Sequence, residues 1–434
     1  MDKLKPITID GIPIFECAFT PEPERYYVKQ GNHWIPYSER NLKLRLRDEG
    51  LSIRVARGAN LSPVEAAIRT IQDERKVDYA SPLAGWESGI LHIRGKRILV
   101  TEGAAVHPAE DVPFPHLSKY LTQLLGSDAL PHHIGWWQWG RKNIAGTAIL
   151  PSQVPIYIGP AGAGKSFLQK ITTRLLGGRD ASPFDYMSGR TSFNSELFYA
   201  EHLVIEDRFF ERGIGSRREF GATIKELAVN HVQKCHAKGK QGVTLWPKWR
   251  ISISLNDEKE NLNVLPPLDA SLLDKVMLFT CGVPTFPVDL GTTAGWERWD
   301  QIVDEEMPGL AHYIDNFELG SYAAPRYGVK PWHDAALLEC EQETAPEYIL
   351  LQCLRHDLPL VLSGAVVWDG TALELERLLT ATAMPSREQT RRILSWPAAC
   401  GTYLGRLAKR YPKGITKRLI RGITRWTLDL GELK

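Results

Sequence analysis

Eight consecutive residues, Gly159 to Ser166, have the spacing of a phosphate-binding loop. They fit the pattern G-x-x-x-x-G-K-[ST], in which the glycines let backbone N–H groups turn towards a phosphate. Lys165 is expected to reach the β- and γ-phosphates of a nucleotide, and the hydroxyl of Ser166 to bind Mg²⁺. An apolar β-type run precedes the loop and a helical pattern follows it, so the positive end of the helix faces the phosphates. The predicted cofactors are therefore ATP and Mg²⁺, and the predicted nucleotide-binding residues are Gly159, Pro160, Ala161, Gly162, Ala163, Gly164, Lys165 and Ser166. The alternative, a glycine-rich turn without a ligand, leaves Lys165-Ser166 unexplained.

Two adjacent acids, Glu206 and Asp207, end an apolar run about 40 residues further along. This is the placement of a Walker B strand, in which one carboxylate holds Mg²⁺ through water and its neighbour polarises the attacking water. Position favours Glu206 for the metal and Asp207 for the water, which reverses the commoner order, and the sequence leaves the assignment open. The alternative is a core strand that ends in solvated acids.

A second apolar strand is predicted for Arg250–Leu255, and Asn256 follows it directly. An asparagine side chain both donates and accepts hydrogen bonds without changing its charge. It therefore suits a sensor that contacts the γ-phosphate or the attacking water at the end of such a strand.

Between these two strands lies a short basic segment with cations at alternating positions. On an extended hairpin arm, alternate side chains project from one face, and a row of cations matches a phosphodiester backbone. Gly239 and Gly242 mark the expected turn. The predicted DNA contacts in this segment are Lys234, His236, Lys238 and Lys240. The alternative is a solvated strand face.

The C-terminal region is strongly basic although the formal net charge of the chain is only +2. The segment from Arg387 to Arg425 contains eleven Lys or Arg residues and a single acid, Glu388. Helices are predicted near 373–379, 386–394 and 398–411, followed by a basic hairpin near 415–426. Three helices and a hairpin resemble a winged helix, whose third helix enters a major groove while the wing follows phosphates. The predicted DNA contacts in this region are Arg406, Lys409, Arg410, Lys417 and Arg418. The alternative is a solvated basic helical bundle.

The elements that position these residues follow from length and pattern. A chain of 434 residues with 43% apolar residues suggests two to four domains. We predict an α+β region of unknown role at 1–110, a helical entry with the ATPase core at 111–290, a connector at 291–334 and a mainly helical, winged-helix-like region at 335–434. No run is long enough to cross a bilayer, and six cysteines lack a C-x-x-C pair. We therefore expect reduced thiols, no membrane partner and a cytoplasmic location in a bacterial or host cell.

Taken in order, these segments resemble motifs A, B, B′ and C of superfamily 3 helicases, which are ring-forming AAA+ ATPases of viruses, phages and plasmids. The segment Trp246–Arg250 before the asparagine-tipped strand is especially similar to the phage and mobile-element primase-helicase branch. The resemblance implies an α/β fold with an AAA+ P-loop core, a homo-hexameric ring around one DNA strand, and replication partners. It also implies that Asn256 is the sensor and that Lys238 and Lys240 are the channel-hairpin contacts.

The chain departs from this pattern in two places. Many members carry an arginine soon after motif C that acts across the subunit interface, whereas residues 268–276 contain none. Lys275 is the candidate substitute as a point charge without the fork geometry of arginine. The other candidates are Arg208, Arg212, Arg217 and Arg218. No primase domain is recognisable upstream.

The leading hypothesis is therefore an ATP-dependent DNA helicase or translocase that replicates a phage, plasmid or other mobile element. A DNA-binding AAA+ ATPase switch that does not unwind DNA, acting in regulation, maintenance or defence, is the alternative. A small-molecule kinase is a third hypothesis, and it gives the basic hairpin no role.

Overall fold

The structure is a computed structural model of the 434-residue chain. It describes residues 6, 8–9, 12–13, 15–206, 214–239, 241–258, 265–266, 268 and 271–433, with the backbone alone at 8–9, 12–13, 214–216, 218 and 340–344. The chain divides into two compact units, one formed by 1–208, 222–257 and 270–333 and the other by 209–221, 258–269 and 334–434. The four-part division predicted from the sequence stays a prediction. No helix among the described residues is both long and apolar enough to cross a membrane.

The first unit begins with small sheets and two helices. Their bounds are β1 (Thr8–Ile9), β2 (Ile12–Pro13), β3 (Cys17–Pro21), β4 (Glu24–Gln30), β5 (His33–Tyr37), α1 (Glu39–Asp48), α2 (Pro63–Glu74), β6 (Tyr79–Ser81), β7 (Gly89–Ile93) and β8 (Lys96–Val100). Strands β3, β4 and β5 form an antiparallel sheet, and β8 pairs with both β6 and β7. Helix α2 begins directly after its N-cap Ser62, because Ser62 and Glu65 form a reciprocal capping box and Pro63 occupies the first turn.

Two helices, α3 (Pro115–Leu125) and α4 (Leu130–Ala145), lead into the nucleotide-binding region. Trp136 and Trp137 on α4 are buried in a large apolar core that includes residues of α3 and of the parallel sheet. Their indole N–H groups donate to the Gln153 carbonyl and the Thr172 hydroxyl, respectively. These tryptophans therefore pack the interior between α4 and its neighbours.

A five-stranded parallel sheet forms the centre of the first unit. The elements here are β9 (Val154–Ile158), α5 (Lys165–Leu176), β10 (Asp180–Ala181), α6 (Phe184–Met187), a 3₁₀ turn (Ser195–Tyr199), β11 (His202–Glu206), α7 (Ile214–Val229), β12 (Gln233–Cys235), β13 (Val243–Leu245), β14 (Arg250–Leu255) and β15 (Val276–Thr280). The strand order is β10-β11-β14-β9-β15, so β14 lies between β9 and β11. After the sheet come α8 (Thr293–Asn316), a 3₁₀ turn (Gly320–Tyr322), β16 (Ala323–Ala324) and β17 (Gly328–Val329). This mixed α/β architecture is compatible with the P-loop core that the sequence predicted.

The second unit contains helices and a three-stranded antiparallel sheet. Its elements are α9 (Ala335–Thr344), α10 (Pro346–Leu362), β18 (Val367–Thr371), α11 (Ala372–Leu379), α12 (Arg387–Ile393), α13 (Ala399–Arg410), β19 (Ile415–Ile420) and β20 (Ile423–Asp429). The sheet order is β18-β20-β19. On α13, which lies where the third helix was predicted, Tyr403, Leu404 and Leu407 recur at helical spacing and are buried. The hairpin of β19 and β20 lies where the basic hairpin was predicted, whereas β18 was not anticipated.

Candidate nucleotide-binding site

The loop Gly159–Gly164 joins the buried strand β9 to helix α5, as its motif predicts. A side chain at Gly159 would place Cβ 2.5 Å from the Cys281 carbonyl oxygen, so only glycine fits there. Gly164 has φ +92°, a left-handed conformation that glycine adopts without strain. The Tyr120 hydroxyl of α3 donates to the Gly164 carbonyl at 2.8 Å and holds the loop from outside. Glycine is therefore required at both ends of the loop, where it leaves β9 and where it enters α5.

Lys165 connects the phosphate loop to the asparagine of the neighbouring strand. Its ammonium group donates to the carbonyls of Gly159 and Pro160, at 2.7 and 2.8 Å, and to Asn256 Oδ1 at 3.0 Å. The residue is 5% exposed. Two side chains that are 91 residues apart in sequence thus meet at one charged atom.

Glu206 reaches the same edge of the sheet from the strand on the other side of β14. Parallel pairing aligns Glu206 with Ser254, and Leu255 with Ile158, so Glu206, Asn256 and the loop all follow the carboxyl ends of neighbouring strands. Glu206 and Ser166 are both exposed. Asp207 lies outside the described residues, so the division of roles between the two acids stays open.

The residues present fit a nucleotide with Mg²⁺. The first amide groups of α5 have no acceptor within the helix and are available to phosphate oxygens. Mg²⁺ would take the Ser166 hydroxyl together with oxygens of the nucleotide and water, and Glu206 is the described acid that could hold one of those waters. No group of three or more His, Cys, Asp or Glu side chains that could hold a metal ion occurs within the described ranges.

A buried polar network under the site was not predicted from the sequence. Ser252 on β14 accepts from Gln169 Nε2 at 2.9 Å and bonds to His202 Nε2 at 2.8 Å, while His202 Nδ1 bonds to the Thr173 hydroxyl at 2.8 Å. Gln169 and Thr173 belong to α5, so the network joins the helix of the phosphate loop to β11 and β14. Burial lowers the pKa of His202 to about 3, which keeps its ring neutral. The signal in the sequence was the presence of polar residues inside apolar strands.

Lys275, the candidate trans-acting cation, lies far along the sheet from the phosphate loop. It precedes β15, and its carbonyl accepts from the Val154 amide at the start of β9. Lys275 is therefore at the amino ends of the parallel strands, whereas the phosphate loop follows their carboxyl ends. Its ammonium group donates to Asp274 at 2.6 Å and to the Ser271 carbonyl at 2.8 Å. Within this chain, Lys275 is therefore not brought together with Lys165.

The structure does not assign the role of trans-acting cation to any of the alternative arginines either. Arg217 is buried and donates to the Leu265 carbonyl at 2.7 Å. Arg208, Arg212 and the side chain of Arg218 lie outside the described residues. The cation that acts across a subunit interface stays a prediction.

The basic segment folds as a short hairpin, but its paired part is shorter than predicted. Pairing ends at Cys235 and Val243, so the alternation of faces does not continue to His236 and Lys238, which lie in the connecting loop. The Asn194 side chain fixes the hairpin by donating to the Lys234 carbonyl at 3.0 Å and accepting from the His236 amide at 2.7 Å. Lys234 and Lys238 are exposed, whereas Lys240 lies outside the described residues.

The predicted contacts of the second unit are divided between a helix and a hairpin. On α13, Lys409 and Arg410 are exposed, and Arg406 forms an ion pair with Glu347 at 3.2 Å. On the hairpin of β19 and β20, which we call the wing, Lys417 is exposed.

Asp369 on β18 was not singled out in the sequence. It accepts hydrogen bonds from Arg418, Arg425 and Thr427 of the wing. The pKa of Asp369 lies below its ordinary value, mainly because of the hydrogen bond from Arg425, with further contributions from Thr427 and the Arg418 charge. Part of the positive charge of the wing is therefore balanced within the second unit.

Comparison with known proteins shows a shared fold. No protein-family model and no curated protein matches the chain. The A-form apo structure of the NrS-1 C-terminal region is similar, with a TM-score of 0.54 and 13% identity over 96% of both chains. An apo structure of NrS-1 residues 305–718 gives a TM-score of 0.53 with the same identity and coverage. At this identity the likeness concerns the fold alone, and it extends over nearly the whole of each chain.

Proposed function

We propose that this chain is an ATP-dependent DNA helicase or translocase of the superfamily 3 type, which works as a hexameric ring in the replication of a phage, plasmid or other mobile element. The observation that carries the proposal is the hydrogen bond between Lys165 and Asn256. This bond joins the phosphate loop to the expected sensor residue. The order of motifs in such an ATPase requires the two to meet, whereas a loop that matched the pattern by chance would have no reason to contact Asn256. The shared fold with the NrS-1 C-terminal region supports the same architecture.

Each residue of the site has a role that follows from its chemistry. Bound ATP with Mg²⁺ supplies the phosphoryl group that is transferred to water. Lys165 stabilises negative charge on the β- and γ-phosphates, and the loop amides hold those oxygens in place. Glu206 and Asp207 hold the metal's water ligands and the attacking water, in either order. Asn256 exchanges its bond with Lys165 for contacts at the γ-phosphate end, and so senses whether that group is present.

The positive charges give the proposed motor two places to contact DNA. Lys234 and Lys238 present exposed cationic groups on the first unit, and Lys409, Arg410 and Lys417 do so on the second. Exposed cations of this kind neutralise phosphates and make binding depend on salt concentration.

Strand displacement on a forked duplex tests the proposal directly. The wild-type chain should displace a strand only with ATP and Mg²⁺, and Lys165→Ala should lose displacement and ATP hydrolysis while still binding DNA. Lys119→Ala is the matched control, because Lys119 is an exposed lysine on α3 outside the site. Equal displacement by wild type and Lys165→Ala would refute the proposal.

The position of Lys275 favours a second candidate, a DNA-binding AAA+ ATPase that switches state without unwinding. Its ammonium group is already bound by Asp274 and Ser271, and lysine lacks the bidentate geometry of an arginine finger. ATP hydrolysis stimulated by DNA, without strand displacement on forks of either polarity, would favour this candidate.

A further inference from the structure

The tip of the wing carries an exposed apolar cluster of three aliphatic side chains. Leu419 is 72% exposed, Ile420 is 42% exposed and Ile423 is 58% exposed. Elsewhere on the same strands, Ile415, Trp426 and Leu428 are buried in the core of the second unit. The ribbon thus extends past the core that stabilises its base, and the tip does not contribute to that core.

The pairing register determines how this tip is shaped. Ile420 pairs directly with Ile423 across a two-residue turn, Arg421-Gly422, in which both residues have positive φ. Directly paired residues share a face, so the two isoleucines lie together on one face of the ribbon. Leu419 precedes Ile420 and therefore points to the opposite face. The end of the ribbon is apolar on both of its faces.

Cations lie directly behind the apolar tip on both faces. Lys417 shares the face of Leu419, two residues closer to the core. Arg418 and Arg425 pair with each other on the face of Ile420 and Ile423. Two residues along a strand correspond to about 7 Å, so the charged groups reach back from the tip by roughly that distance. Asp369 balances part of this charge, whereas Lys417 and Arg421 are exposed at the ribbon.

From this arrangement we infer that the tip of the wing is a wedge for duplex DNA, in which Leu419, Ile420 and Ile423 insert at a base step while Lys417 and Arg421, which Asp369 does not hold, bind the flanking phosphates. Proteins that unstack DNA insert aliphatic side chains between base steps and hold the phosphates with Lys and Arg. A wing that only follows phosphates has no need for three exposed aliphatic side chains at its end. A protein partner would match the apolar tip but not the cations on both faces. The inference rests on the proposed DNA binding by the wing and adds base unstacking to it.

The test uses the full-length chain with DNA that contains 2-aminopurine, whose fluorescence rises when its base unstacks. One set of duplexes carries the probe at internal steps, and a second set carries it at the junction of a fork. The test variant is Leu419→Ala/Ile420→Ala/Ile423→Ala. The matched control is Val366→Ala/Val367→Ala/Leu373→Ala, which removes three other aliphatic side chains of the second unit that are 58%, 44% and 56% exposed.

We expect wild type and control to raise the fluorescence severalfold, and the tip variant to lose this rise. A signal on internal steps assigns the insertion to intact duplex, and a signal restricted to forks assigns it to the junction. Affinity for DNA should fall about tenfold in the tip variant, because buried aliphatic area is lost. The slope of log affinity against log salt concentration should not change, because every cation remains.

Three results would overturn the inference. If wild type binds DNA but gives the same fluorescence as the tip variant, insertion is excluded while DNA binding by the wing stands. If wild type binds neither duplex nor forked DNA, the proposed function fails together with the inference. If the tip variant alone changes its sedimentation in the absence of DNA, the apolar tip covers another copy of the chain instead.

Discussion

Removing the Ser252 hydroxyl should loosen the contact between the helix of the phosphate loop and the strand of the sensor asparagine. Ser252 is fully buried and bonds to both Gln169 and His202. Each buried polar group that loses a partner costs about 1–3 kcal/mol. Ser252→Ala removes one partner from His202 Nε2 and one from Gln169 Nε2, which keeps its longer hydrogen bond to the Ile205 carbonyl at 3.5 Å. With partial relaxation of the neighbours, we expect the free energy of unfolding to fall by about 2–4 kcal/mol.

The functional consequence follows from the position of the network. Gln169 lies one turn after Lys165 on α5, and Ser252 lies four residues before Asn256 on β14. A loosened contact therefore changes the distance between Lys165 and Asn256. Because displacements of about 1 Å in an active site cost as much as a hundredfold in rate, we expect kcat/KM for ATP to fall at least about tenfold.

Urea unfolding followed by tryptophan fluorescence measures the loss of stability, because Trp136 and Trp137 are buried in the core beside α5. Ser254→Ala is the matched control. Ser254 is buried on the same strand and points to the same face, and no hydrogen bond of its hydroxyl is found within the described part of the chain. Because Ser254→Ala leaves no described hydrogen-bond partner unsatisfied, the control should lose less stability than Ser252→Ala. A loss in Ser252→Ala no larger than in Ser254→Ala would refute the role of the network.

Three further predictions concern the sensor, the buried histidines and the wing. Asn256→Ala should retain nucleotide binding in a fluorescent-nucleotide titration but lower kcat for ATP at least about tenfold, because charge stabilisation near the γ-phosphate is lost; an unchanged kcat would remove Asn256 from the site. Burial lowers the pKa of His133 and of His202 from 6.5 to about 3, so the folded state resists protonation that the unfolded state accepts. The free energy of unfolding should therefore keep its full value above pH 6.5 and fall as the pH drops towards 3. At pH 5 we expect the loss to be about 2 kcal/mol per histidine. Urea midpoints at pH 7 and pH 5 check this, and His202→Gln should remove about half of the difference. Asp369→Asn should free Arg418 and Arg425 and strengthen duplex binding severalfold, and the slope of log affinity against log salt concentration should become steeper by up to about one unit. Fluorescence anisotropy over a salt series measures both effects. If neither changes, these two arginines do not contact DNA.

Local patterns in the sequence were sufficient to predict several elements. The loop at Gly159–Ser166 and the wing hairpin each depend on residues that are neighbours in the chain. Their conformations follow from glycine backbone freedom and strand alternation, which act over a few residues. The same holds for the buried face of α13, whose apolar residues recur at helical spacing.

Other features depended on how distant segments pair. Strand pairing in the basic segment ends at Cys235, where the Asn194 side chain, from a distant part of the chain, binds the backbone at Lys234 and His236. Strand β18 and the role of Asp369 follow from its pairing with β20, more than 50 residues away. Alternation within one segment carries no information about such partners.

The sequence by itself determined that a phosphate-binding loop, two acids and an asparagine occur in a fixed order. Only the tertiary structure decided that β14 lies between β9 and β11, which brings Lys165 Nζ to 3.0 Å from Asn256 Oδ1. It also decided that Lys275 lies at the amino ends of the strands, away from that contact. The physical reason is that strand order is set by burial and hydrogen bonding across the whole sheet, whereas a motif constrains only its own few residues. The loop could be identified from the sequence, whereas its contact with Asn256 on the neighbouring strand was found only in the structure.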